Sequence, residues 1–287
     1  MVSKEVFFKT NESITLAAEA WGNEQKPPVI FLHGGGQTRH SWGDTARYFA
    51  EKGWYTIAYD ARGHGDSSWS AEGNYRTDAL VEDLKAILKT LPQKPALVGA
   101  SMGGLTSLIA QGESKEPICS AIVLVDIAPK ADQKGVERIF TFMSANLHGF
   151  ASIEEAADAV AAYLPHRPRP KDNERLKKNL RLKEDGRWYW HWDPKMLALW
   201  QSSQPEDRIK SAVRLMNAAK NLTVPTLIVR GGMSDVVTSQ VMDEFLEAVP
   251  NVRAVEVSGA GHMVAGDSNH AFSNAVVEFL KEIFPPD

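Results

Sequence analysis

The chain has 287 residues, 43% of them hydrophobic and 24% charged, with a formal net charge of -4, enough to bury a large core without disulfide or metal staples. The mildly acidic balance and the lack of a basic run exclude an obvious nucleic-acid footprint. No apolar stretch approaches the roughly 18 residues of a membrane span, and the start MVSKEVFFKTNESITL has none of the parts of a secretory signal, so a cytoplasmic protein with neither a membrane nor a nucleic-acid partner is expected.

In chain order, Val6-Phe7-Phe8 and Ile14-Thr15-Leu16 flank Thr10-Asn11-Glu12 and read as a β-hairpin. Four apolar runs follow. Val29-Ile30-Phe31-Leu32 stops at glycines, Tyr55 to Tyr59 at Asp60, Ala96-Leu97-Val98 at Gly99, and Ile122 to Val125 at Asp126. Continuous apolar runs of this length suit parallel strands buried on both faces. Between two of them Leu80, Leu84, Ile87, Leu88 and Leu91 recur at helical spacing, with Thr77 or Asp78 placed as a cap. Cys119, the lone cysteine, precedes one such run and reads as a buried, inert thiol. Alternating strands and helices predict a doubly wound α/β layer structure with a mostly parallel sheet.

The rhythm breaks after Pro129. As far as Ala219 the pattern is mostly helical, interrupted by Leu164-Pro165-His166-Arg167-Pro168-Arg169-Pro170 and by Trp188-Tyr189-Trp190-His191-Trp192. Strand signals resume at Thr226 to Val229 and at Val252 to Val257, before a last helix near Ala271 to Ile283. The expected organisation is a core of residues 1–128 and 220–287, with a helical cap, 129–219, inserted after the sixth strand over the C-terminal strand ends. The aromatic cluster of the cap either lines an apolar pocket or forms the cap's own small core.

Gly99-Ala100-Ser101-Met102-Gly103 matches G-x-S-x-G between a strand and a helix. In that context the serine sits on a sharp turn at a helix N-terminus, exposed as a nucleophile. His33-Gly34-Gly35-Gly36 follows a strand directly. Its Gly35 amide and that of Met102 are the expected oxyanion-hole donors, with His33 bracing the loop. The base is expected beyond the last strand, and His262, in Gly259-Ala260-Gly261-His262-Met263, fits. Two carboxylates at strand ends compete to orient it, Asp235 and Asp126. The chain order Ser101, Asp235, His262 favours Asp235, leaving Asp126 to bond backbone at the cap entry. The segment Asp60-Ala61-Arg62-Gly63-His64-Gly65-Asp66-Ser67 lacks a metal-ligand pattern and reads as a structural loop. No cofactor and no metal are expected.

HGGGQTRHSW, DARGHGDS, GASMGG and SGAGH, in this order, resemble the α/β-hydrolase superfamily. Within it they resemble the lidded group of small carboxylesterases, epoxide-hydrolase-like proteins, cofactor-free perhydrolases and carbon–carbon bond hydrolases. The resemblance covers residues 1–128 and 220–287, and it implies the α/β-hydrolase fold. Epoxide hydrolases and haloalkane dehalogenases carry an aspartate where this chain has Ser101, which argues against both chemistries. Perhydrolase-like members often have a bulky residue where this chain has Gly35. The implied activity is hydrolysis of small-molecule carboxylic esters through an acyl-enzyme. Carbon–carbon cleavage, perhydrolysis and a non-catalytic ligand-binding module remain alternatives.

Overall fold

Five-residue runs without a charged side chain leave β3 (Pro28–Leu32), β4 (Tyr55–Tyr59) and β6 (Ala121–Val125) buried at every position, as strands covered on both faces must be. The computed structural model describes residues 1–10, 12–167, 169, 173–267 and 269–286. The remaining strands of the main sheet are β1 (Lys4–Lys9), β2 (Thr15–Trp21), β5 (Ala96–Ala100), β9 (Thr226–Gly231) and β10 (Val252–Val257). Their order is β1-β2-β4-β3-β5-β6-β9-β10. β2 runs antiparallel to β1 and β4, and every other pairing is parallel. The opening hairpin forms, though its Asn11 lies outside the described residues.

Two apolar layers sandwich the sheet. One face carries α2 (Thr77–Leu88), α3 (Met102–Gly112) and α8 (Ser239–Ala248), the other α1 (Gly43–Glu51) and α10 (Asn269–Ile283), with the short α9 (Val264–Asp267) before it. The cap of α2 is not as expected: Arg76 is the N-cap and makes no side-chain bond, while Asp78 sits in the first turn, where its charge still suits the helix dipole.

The insert leaves the sheet after β6 as α4 (Gln133–Ala145) and α5 (Ile153–Tyr163), each started by a side-chain cap, Asp132 to the Lys134 amide and Ser152 to the Glu155 amide. It is less helical than its pattern suggests. A two-stranded ribbon, β7 (Leu180–Leu182) paired antiparallel with β8 (Trp188–Trp190), precedes α6 (Met196–Gln201) and α7 (Pro205–Lys220). The last of these does not overhang the strand ends. It packs along α3, where the Ala218 carbonyl comes within 2.2 Å of where a Cβ on Gly112 would stand. Pro168 and Pro170 of the proline-rich segment lie outside the described residues.

Among the described residues, no helix is long and apolar enough to cross a membrane.

Candidate active site

The turn from β5 into α3 puts Ser101 at φ 43°, ψ -113°, a conformation that costs a non-glycine residue about 1–3 kcal/mol. Its surroundings leave no slack to relax it. A Cβ on Gly103 would lie 2.5 Å from Leu32 Cβ, and one on Gly99 would lie 2.6 Å from the Gly103 carbonyl. The small residues of the motif therefore let β5, α3 and β3 close around the serine. The Ser101 amide donates to the Val125 carbonyl at 3.3 Å, which seats the turn beside the end of β6.

Asp126 is the next residue. It is fully buried and also has a positive φ, 48°, a conformation that aspartate tolerates better than most residues. Its carboxyl accepts from the Gly231 amide at 2.8 Å, from the Ser234 hydroxyl at 2.5 Å and from His262 Nδ1 at 2.7 Å. With three donors converging, it acts only as an acceptor. His262 Nδ1 then carries the proton of this bond. The Ser234 hydroxyl in turn accepts the Val236 and Val237 amides, so the turn after β9 is built around Asp126.

The structure thus corrects the expected partner of His262. Asp235 does not contact it. Arg138 of α4 takes its carboxylate with Nε at 2.6 Å and Nη2 at 3.1 Å, and both side chains are about two-fifths exposed. Arg138 also donates to the Tyr163 carbonyl and lies over the Tyr163 ring. The reason is local: Ser234 turns inward to Asp126, so the next residue faces outward toward α4. There α4 approaches so closely that a Cβ on Gly135 would stand 2.2 Å from the Asp235 carbonyl oxygen. The two aspartates have exchanged tasks, Asp126 holding the imidazole and Asp235 fastening the cap.

The glycine loop after β3 lies against the serine, since a Cβ on Gly34 would be 3.4 Å from Ser101 Cβ. The Gly34 amide donates to Gln37 Oε1 at 3.0 Å and the Gly36 amide to His64 Nε2 at 3.1 Å. Among the described residues no acceptor takes the Gly35 amide. Met102 is the first residue of α3, and an amide in a helix's first turn has no intrahelical partner.

His33 braces this loop, with its Nε2 accepting the Ala61 amide at 3.0 Å and its Nδ1–H donating to the Gly34 carbonyl at 2.8 Å. Burial lowers its pKa, and burial takes that of His64 down to about 3. The segment Asp60–Ser67 wraps on buried charge. Asp60 binds Arg39, while Asp83 grips Arg62 at 2.6 and 2.7 Å. Among the described residues no group of three or more His, Cys, Asp or Glu side chains is placed to hold a metal ion. Cys119 is buried, and burial pushes its thiol up to about 12.

The cap closes over this floor with apolar side chains. Met143, Trp192 and Leu197 cluster with Ile139, Phe142 and Trp190. The Met143 methyl comes within 3.1 Å, and Trp192 Nε1 within 3.7 Å, of where a Cβ on Gly36 would stand. The cap side of this contact is pinned by backbone: the Gly65 amide donates to the His191 carbonyl at 2.7 Å and the Asp193 amide to the Gly63 carbonyl at 2.8 Å.

Comparison with known proteins agrees with this architecture. The model of the alpha/beta hydrolase fold matches residues 27–269. Esterase Rv0045c of Mycobacterium tuberculosis is 32% identical over 91% of this chain and 85% of its own length. The 3-hydroxybutyrate-oligomer hydrolase of Cupriavidus necator is 26% identical over 86% of each chain. Among solved structures, E-2-(acetamidomethylene)succinate hydrolase superposes with a TM-score of 0.85 at 22% identity, covering 98% of this chain and all of that one. The crystal structure of the Mycobacterium tuberculosis esterase does so with a TM-score of 0.76 at 28% identity, covering 98% and 92%. These relatives and this fold make the protein a hydrolase, and the chain belongs to the α/β-hydrolase fold family.

Proposed function

We propose that this protein is a serine carboxylesterase acting on small to medium, apolar esters, with Ser101 as nucleophile, His262 as general base and Asp126 orienting the imidazole. The observation that carries the reading is the 2.7 Å contact of His262 Nδ1 with a fully buried Asp126, one residue beyond the carbonyl that receives the Ser101 amide. His262 Nε2 takes the Ser101 hydroxyl proton as Oγ attacks the ester carbonyl. The Gly35 and Met102 amides receive the oxyanion, each worth about 3 kcal/mol in the transition state. Collapse breaks the ester bond, and His262 returns its proton to the departing alkoxide. Water, deprotonated by the same imidazole, then hydrolyses the acyl-enzyme. The apolar cap face around Met143 and Trp192 favours apolar substrates, and the relatives include a protein named as an esterase.

The test is a chromogenic ester series of increasing acyl length on wild type and Ser101→Ala. Turnover by wild type that falls by about 10⁴–10⁶ in the variant is expected. Activity retained by the variant, or wild-type cleavage confined to β-diketones or peroxide-dependent chemistry, contradicts the proposal. So does tight ligand binding without turnover.

A further inference from the structure

The Asp60–Ser67 segment contributes no group to the chemistry above, yet it holds the oxyanion loop by a reciprocal exchange. His33, on the loop after β3, accepts the Ala61 amide, while His64, on the loop after β4, accepts the Gly36 amide. The two rings meet edge to face, with centroids 4.8 Å apart and planes at 62°. An amide only donates and a carbonyl only accepts. The Gly36 amide at Nε2 and the Arg62 carbonyl, 3.1 Å from Nδ1, therefore fix His64 as the neutral, Nδ1-protonated tautomer.

Resting on the reading of Ser101 as nucleophile, we propose that His64 is a positioning residue of the oxyanion hole. By holding the Gly36 amide it turns the neighbouring Gly35 amide toward the substrate oxygen.

The loop's own bonds support this. Gly34 is tied to Gln37, and Gly36 to His64, so Gly35 is the member of the run whose amide is left for a ligand among the described residues. Its peptide shares the Gly34 carbonyl, which accepts His33 Nδ1–H at 2.8 Å and the Gln37 amide at 3.1 Å, and His64 fixes the next peptide through the Gly36 amide. His64 is itself immobilised, being 1% exposed. Its backbone forms an antiparallel bridge with Trp192 of the cap, and its Nδ1–H is anchored on Arg62, whose guanidinium is bound by buried Asp83. His64 therefore links this loop to the cap and to α2, beside the brace that His33 provides from within it, whereas a free glycine loop would sample many orientations. A fixed donor is what oxyanion stabilisation requires, because the gain comes from dipoles that need no reorganisation.

The experiment compares His64→Leu, which keeps bulk without an acceptor, and His64→Gln, whose Oε1 can reach the place of Nε2. Labelling of Ser101 by a fluorophosphonate, ester kinetics, and inhibition by a trifluoromethyl ketone against its methyl ketone are measured. In His64→Leu, kcat and the labelling rate are expected to fall about 10²-fold with KM little changed. The trifluoromethyl ketone, which forms the tetrahedral adduct, should weaken far more than the methyl ketone, and His64→Gln should recover most of each loss. Folded variants with near-normal kcat, or equal weakening of both ketones, overturn the proposal.

Should His64→Leu not fold, amide NMR of the unmutated protein decides. Binding of the trifluoromethyl ketone should shift the Gly35 amide and leave the Gly36 amide on His64. A Gly36 amide that moves to the inhibitor overturns the proposal. A wild-type protein that is not labelled at Ser101 removes the serine reading and this proposal with it, whereas labelling indifferent to His64 removes this proposal alone.

Discussion

The floor of the site and its cap are held in place by different balances of backbone and side-chain contact. On the floor, position is enforced by backbone: positive φ at Ser101 and Asp126, glycines against which no Cβ fits, and buried amide bonds to His33, His64 and Asp126. The cap is fastened by an exposed ion pair, Arg138–Asp235, by apolar side chains, by backbone bonds to residues 63–65 and by polar side-chain bonds such as Thr38–Asn179 and the buried Tyr75–Asp193. An ion pair with both partners about two-fifths exposed contributes no more than about 1 kcal/mol. The floor is thus the more tightly constrained of the two by its backbone. Under the proposed function, the floor carries the chemistry and the cap the choice of substrate.

Enlarging the space under the cap sharpens that division. Met143 is 7% exposed and its methyl faces Gly36, so Met143→Ala should shift the kcat/KM ratio of longer over shorter acyl esters about tenfold. The same change should cost about 2–5 kcal/mol of stability and leave the Ser101 labelling rate near normal. An unchanged acyl-length profile would place the pocket wall elsewhere.

A smaller effect probes the floor through acid. His33 and His64 are held neutral by burial, His64 at about 3, with His191 adding to the depression. An unfolded histidine takes up a proton near pH 6.5, so below that pH the unfolded chain binds more protons than the folded one. Stability should therefore fall from about pH 6.5 toward pH 3, by up to about 1.4 kcal/mol per pH unit for each such histidine. Denaturant titrations across this range should show a shallower slope in His64→Gln, and an unaltered slope would mean that His64 is protonated in the fold.

The same division explains what was legible in the sequence. Runs such as Val29 to Leu32 and the glycines around Ser101 encode backbone constraints, and these translate directly into strands and a turn. The cap depends on contacts between distant segments, which local patterns carry less well. Its ribbon was signalled by Asp185-Gly186, a hairpin turn pair, but the surrounding helical composition hid it. Asp126 and Asp235 both follow strands, and chain order favours the latter. What separates them is the positive φ of Asp126, the inward turn of Ser234 and an arginine 97 residues away, none of which a local pattern displays. A signal was nonetheless present, since an aspartate closing a fully apolar strand beside the serine strand is placed to face its neighbours' loops. The loop reading of Asp60–Ser67 does not display the bond of His64 to the glycine loop after β3, a pairing of loops 28 residues apart.

The most direct test of the account is steady-state kinetics of Asp126→Asn and Asp235→Asn on one ester turned over by wild type. Asp126→Asn is expected to lower kcat by about 10⁴, because the imidazole loses the acceptor that fixes its tautomer. Asp235→Asn should remain within about threefold, since it loosens only an exposed pair. The reverse ranking would show that Asp235 orients His262 during turnover and would contradict the assignment of Asp126.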